Sequence, residues 1–175
     1  VGNRIINPGE IKAQTSTMIT SLQENNNTLL EIKRVIEDFT SEQELAGDAW
    51  EKGKQYMQEG HFSVIQGLVC ANDSLISAAR QYASLVGDER LDEASLNEKI
   101  DILEEQVRTY NRLIRDAENR MYTENSPGAG YVIPVYSGYV SLCENLIRTY
   151  EAKIDKIGEI VCSGDALFDE AEGLY

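Results

Sequence analysis

The stretch Leu96-Asn97-Glu98-Lys99-Ile100-Asp101-Ile102-Leu103-Glu104-Glu105-Gln106-Val107-Arg108-Thr109-Tyr110 decides the fold class. Leu96, Ile100, Leu103, Val107, Tyr110, Ile114, Ala117 and Met121 recur at alternating spacings of four and three. Only a helix brings such positions onto one face, and this row holds its period without a slip. Glu104, Glu105, Arg108, Arg112, Arg115 and Asp116 charge the other face.

The same period runs through the rest of the chain. Asn7 caps, Pro8 takes the first helical position and Glu10 closes a capping box at the start of a first helix. Ile11, Thr15, Met18, Leu22, Asn25, Leu29, Ile32, Ile36 and Phe39 then form a heptad row. The row predicts a helix of about 32 residues, about 48 Å long. Asn25 interrupts it, reading either as a seam residue that fixes register or as a solvated kink. Thr40 or Ser41, with Gln43 or Glu44 three residues on, signals a second helix that returns antiparallel. Its pattern is disturbed at Gly60-His61-Phe62 and resumes with Val64, Ile65, Leu68, Ala71, Leu75, Ala79, Tyr82 and Val86, so one long segment bends near Gly60.

Gly87-Asp88-Glu89 closes that segment, and the third helix starts near Asp92. Asn125-Ser126-Pro127-Gly128-Ala129-Gly130 is loop, running to Pro134. A last helix runs from about Pro134 or Tyr136 to near Leu167 on Tyr139, Leu142, Cys143, Leu146, Tyr150, Ile154, Ile157, Ile160 and Val161. Past Lys156 only acids accumulate, which opposes the helix dipole; a frayed end, or continuation into further sequence, is expected there. The fold class is all-α: an elongated bundle of long antiparallel helices in a single module over 1–175. Its first hairpin covers about 8–86, bent near 60, and its second about 92–167.

Bulk properties narrow the function. A net charge of −14 excludes a nucleic-acid binder and an anionic-lipid binder, both of which need clustered Lys and Arg. No stretch approaches the roughly 18 apolar residues of a membrane span, and Val1 to Glu10 lack the features of a cleaved signal peptide. With no initiator Met, the chain reads as an excised piece of a longer protein. Cys70, Cys143 and Cys162 match no metal or redox spacing and read as small buried hydrophobes. His61 is the only histidine and has Gln58 where a Glu-x-x-His motif needs Glu, so no metal site is expected. No nucleophile motif or phosphate loop occurs, so no catalytic residue, cofactor or small-molecule substrate is expected.

The segment Leu45-Ala46-Gly47-Asp48-Ala49-Trp50-Glu51-Lys52-Gly53-Lys54-Gln55-Tyr56-Met57, followed by His61-Phe62-Ser63-Val64-Ile65-Gln66-Gly67-Leu68, resembles the defining region of the LXG domain. Leu45 and Gly47 supply the Leu-x-Gly triplet, and Trp50, Lys54, Tyr56 and His61 fall where the pattern continues. The resemblance implies the N-terminal targeting domain of a polymorphic toxin of Gram-positive bacteria, used in competition between bacteria. Such a domain is made in the cytoplasm and exported by type VII secretion. It binds small helical partners of the Trp-x-Gly-like class and presents a composite signal to a component of the secretion machine. The toxic domain lies outside this chain. The related export signal Tyr-x-x-x-Asp/Glu is absent, the nearest string being Phe168-Asp169-Glu170-Ala171-Glu172, so a partner is expected to supply it.

Helix periodicity suggests where a partner binds. Ile11, Met18, Leu22, Leu29 and Ile36 make one seam, yet Ile19 and Leu30 extend the apolar surface beyond it. Trp50 and Met57 lie on a face different from Leu45 and Tyr56. One antiparallel contact cannot cover two faces per helix, so either the second hairpin folds back or another chain docks. The alternative function is a structural coiled-coil or helical-bundle adaptor with no export role.

Overall fold

The computed structural model describes residues 2–123 and 127–174. Its order is β1 (Ile5–Ile6), α1 (Pro8–Ser41), α2 (Asp48–Tyr56), a π turn (Met57–His61), α3 (Phe62–Leu85), β2 (Leu91–Asp92), α4 (Glu93–Thr123), a 3-10 turn (Pro127–Val132) and α5 (Ile133–Glu172). The fold is all-α, apart from the two-residue antiparallel pair β1–β2. That pair escapes a search for periodicity, since two residues have no period. The chain divides into two compact units, residues 1–6 with 90–159, and residues 7–89 with 160–175.

In the second of these, α1 and the α2–α3 segment form the antiparallel hairpin the sequence predicts. Phe39 meets Trp50, Lys33 lies over Phe62, Asn26 meets Asn72, and Lys12 meets Asp88. Asn7 is extended before Pro8, but its side chain caps no backbone group; its amide reaches Glu10 Oε2 at 3.4 Å. The capping box therefore does not form as expected. The buried seam of α1 also differs from the heptad reading. Asn26, rather than Asn25, is buried, and Ile32 is exposed while Lys33 turns inward. A straight helix has 3.6 residues per turn, so a strict 3.5-residue row drifts off the contact line and the seam moves on by one residue.

Asn72 donates to Asn26 Oδ1 at 2.8 Å, and Asn26 donates to Asp73 Oδ1 at 2.9 Å. The asparagine run thus enters the seam through Asn26, while Asn25, the residue read as interrupting the row, is exposed. Helix α3 meets α1 with Ile65, Asn72, Ile76, Ala79 and Val86, all buried. Its Ala71 and Ala78 are buried too, on a second face. There α5 returns: Phe168 packs edge-on against Tyr82 at 5.8 Å, and Leu167 and Ala171 line a groove with Ser74 and Ala78. Helix α5 therefore extends past the expected Leu167 to Glu172 and buries Ala171, while Asp165, Asp169, Glu170 and Glu172 stay exposed. Apolar packing outweighs the few tenths of a kcal/mol that each acid costs against the dipole. Burial, and then the nearby charge of Asp165, push the Tyr82 phenol upward.

The continuous helical run Asp48–Leu85 is long and apolar enough to span a membrane by length and composition, which corrects the expectation that no stretch approaches a span. Its most apolar window is 33 % buried: Ile65, Ile76 and Ala79 are inside, and Val64 and Leu68 are exposed.

In the other unit, α4 and α5 form the second hairpin. Tyr110 stacks on Tyr136 and Tyr139, Gln106 accepts from the Cys143 thiol, and Lys99 lies over the Tyr150 ring. Cys143 is buried as expected, whereas Cys70 and Cys162 are exposed. The expected loop from Asn125 to Pro134 is a 3-10 turn from Pro127, and Pro134 sits in the first turn of α5; Asn125 and Ser126 lie outside the described residues. Asp92 accepts the Ser95 backbone N–H and so caps α4. Arg4 grips Glu93 through two bonds of 2.7 and 2.6 Å, and Asn3 bonds Asp92 and the Ala94 backbone.

Candidate functional site

The Leu-x-Gly region is one closed turn. Thr40 and Ser41 do not cap a second helix; their hydroxyls bond back to the carbonyls of Glu37 and Asp38, inside α1. The second helix starts at Asp48, with Gly47 as its N-cap at φ 114 and ψ 157. That conformation belongs to glycine almost alone. From it, the Gly47 carbonyl accepts the N–H groups of Trp50 and Glu51 at 2.9 and 3.0 Å. No atom lies within 4 Å of where a Cβ would stand, so backbone shape rather than crowding requires glycine here.

Lys54 completes the turn. Its Nζ donates to the carbonyls of Glu42 at 2.5 Å and Leu45 at 3.0 Å, with Glu51 4.0 Å away. The carbonyls left free after α1 thus receive a cation, and Leu45, Gly47 and Lys54 form one local device. Trp50 packs edge-on against Phe39, at 6.2 Å between ring centroids.

The bend near Gly60 is the π turn Met57–His61, where Tyr56 and His61 meet edge to face at 5.9 Å. One extra residue in the turn swings α2 relative to the α3 face.

The residues expected to bind a partner divide by burial. Ile36 is buried in the α1–α3 seam, and Ile11, Met18, Ile19, Leu22, Leu29 and Met57 are half-buried. Leu30 and Trp50 are open, at 50 % and 45 % exposed. Leu30 also edges a shallow depression of about 350 Å³ with Asn27, Glu31 and Arg34. Ile32 belongs to the heptad row of α1, and Val64 and Leu68 to the apolar pattern that resumes after Gly60, yet all three are exposed, as is Val35. Val64 and Leu68 begin a row on α3 that continues through Ala71, Leu75, Ala78 and Tyr82 at spacings of four and three. The C-terminal turns of α5 cover its far part, around Ala71 to Tyr82. The near part lies bare, and helix geometry puts Ile32 and Val35 of α1 on the same side of the antiparallel pair. The C-terminal turns of α5 thus cover only part of this α3 row, and Leu30 and Trp50, on the faces expected to be covered by a fold-back or a partner, stay exposed.

Among the described residues, no group of three or more His, Cys, Asp or Glu is placed to hold a metal ion.

A family model described as the LXG domain of the WXG superfamily matches residues 6–125. Comparison with curated proteins and with solved structures found no significant match.

Proposed function

Because this chain belongs to the LXG domain family of the WXG superfamily, we propose that it is a non-catalytic targeting module of a toxin exported by type VII secretion. Its role is secretion-related, as its family is. The module takes a small helical partner onto its first hairpin, and the pair forms the export-competent complex.

One observation carries the reading. The apolar row of α3 outruns its cover, leaving Val64 and Leu68 beside Ile32 and Val35 as an open strip next to a helix already docked on the same row. A second helix continuing along that row buries the strip in the manner of the first. With no Tyr-x-x-x-Asp/Glu string in this chain, the partner brings the export signal.

The test is co-expression with small helical proteins encoded beside the gene, followed by co-purification and an export assay of the full-length protein. Val35→Asp, Val64→Asp and Leu30→Asp keep the wild-type helicity and melting temperature, since these side chains are at least half exposed, and those on the docking surface lose partner and export. Wild-type partner binding and export in all three variants would overturn this assignment of the surface.

A further inference from the structure

We propose that the α4–α5 hairpin pairs with a second copy of itself through an open apolar face, forming an antiparallel four-helix bundle. Helix α5 meets α4 with Tyr136, Cys143 and Tyr150, joined by half-buried Val140 and Ile147. Val135, Tyr139, Leu142 and Leu146 each stand one residue before a member of that row. One residue is a rotation of about 100°, so they form a second row on the flank, with Tyr139 at its edge, stacked on Tyr110 of α4 at 5.2 Å. These four are 52, 46, 56 and 37 % exposed, and Ile102, on the matching flank of α4, is 53 % exposed.

The molecule itself shows what such a row receives. On α3, Ala71, Leu75, Ala78 and Tyr82 precede the α1-facing Asn72, Ile76, Ala79 and Ala83 by the same single residue, and a helix lies on them. The α5 row therefore has the form of a helix-binding row without its helix.

Charge and area select a second copy. Two chains of net charge −14 repel wherever charged faces meet, yet every residue from Asn125 to Cys143 is uncharged. Along α5 itself a basic partner finds no carboxylate before Glu144. The exposed parts of the five side chains and neighbouring Tyr131 amount to roughly 600 Å² per copy, so a pair buries about 1,200 Å², the lower edge of a specific interface. The contact uses the same surface on both copies and closes at two. It lies mostly on residues beyond those matched by the family model.

Sedimentation equilibrium of the chain from micromolar to submillimolar concentration tests the proposal. A reversible dimer is expected, and Leu142→Asp and Val135→Asp each weaken it by about tenfold or more while circular dichroism stays unchanged. Val64→Asp, on the other hairpin, leaves the dimer intact. A chain that remains monomeric throughout, or a dimer indifferent to both α5 variants, overturns the proposal. So does a monomer that floats with uncharged phosphatidylcholine vesicles through the same residues, since a lipid surface would then be the occupant.

Discussion

Asn72 donates its side-chain amide to Asn26 Oδ1 across 2.8 Å of the α1–α3 seam, among buried neighbours such as Ile65, Ile76 and Ile36. A slip of one helical turn would bury each amide against aliphatic carbon. Asn26→Ala removes an acceptor for Asn72 and a donor to Asp73, and should cost about 1–3 kcal/mol in urea unfolding. Replacing both asparagines with Leu should restore or raise stability while broadening the amide spectrum through mixed registers. A single variant with unchanged stability would mean the pair does not set the register.

Gly47 holds a backbone shape at φ 114, ψ 157 that side chains resist. Gly47→Ala should cost about 1–3 kcal/mol. Gly47→Asn should cost as much, because asparagine favours the left-handed helical region, which this ψ excludes. Hydrogen exchange at Trp50 and Glu51, whose amides bond the Gly47 carbonyl, should speed up in both variants.

Lys54→Met keeps the stem but leaves the carbonyls of Glu42 and Leu45 without their cation. The expected loss is about 1–3 kcal/mol, as for hydrogen bonds to a charged group. The turn between α1 and α2 should become the first site cut in limited proteolysis. Equal protease resistance in wild type and variant would argue against the clamp.

Gly164 lets α5 approach Tyr82 closely: a Cβ there would stand 2.7 Å from the ring carbon Cε2. Alanine gains about 1 kcal/mol in helix propensity, yet overpacking costs about 1–3 kcal/mol. Gly164→Ala should therefore lower the melting temperature or leave it level, and adding Tyr82→Ala should expose strong coupling in a double-mutant cycle. Additive effects would contradict the contact.

Acid should loosen the module. Lys12 holds the Asp88 carboxyl low, Asn3 and the Ser95 backbone hold Asp92 low, and Arg4 holds Glu93 low. For groups held low in the folded state, the stabilisation is present above the ordinary carboxylate range and is lost as pH falls through and below it. Melting temperature should thus hold down to mildly acidic pH and fall below about pH 4, less steeply in Arg4→Met. Tyr82 works at the other extreme. Its raised phenol value favours the protonated fold, so stability should decline as pH rises past the ordinary tyrosine value near 10.

The helices were legible because each carries a long apolar row, and the α4 row from Leu96 to Ala117 matches the buried and half-buried side chains of the structure. Exact seams were less so: the row read through Asn25 and Ile32 differs by one residue from the seam that packs, since helical drift shows only against a neighbour. The start of α2 was misread because Thr40 and Ser41 had two uses for their hydroxyls, and bonding backward along α1 prevailed. At the candidate site, Leu45 and Gly47 were recognisable as a motif, while the part played by Lys54 depends on the turn folding around it. Nothing local says that Val64 is bare and Ala71 covered. That follows from where the last turns of α5 land.

Helix α5 gives its residues up to Glu159 to one unit and those from Ile160 to the other. Of the five helices it leaves the ribosome last. Before then α4 has no hairpin mate, Tyr82 has no Phe168, and β1, which pairs Ile6 with Leu91, has waited through the whole first hairpin. Closing so long a loop adds little free energy, but it delays folding. Each unit therefore completes only once its share of α5 has emerged. Until α5 has emerged the nascent chain shows uncovered apolar rows, the interval in which a chaperone, or a partner made beside it, has access to surfaces that the finished fold withdraws.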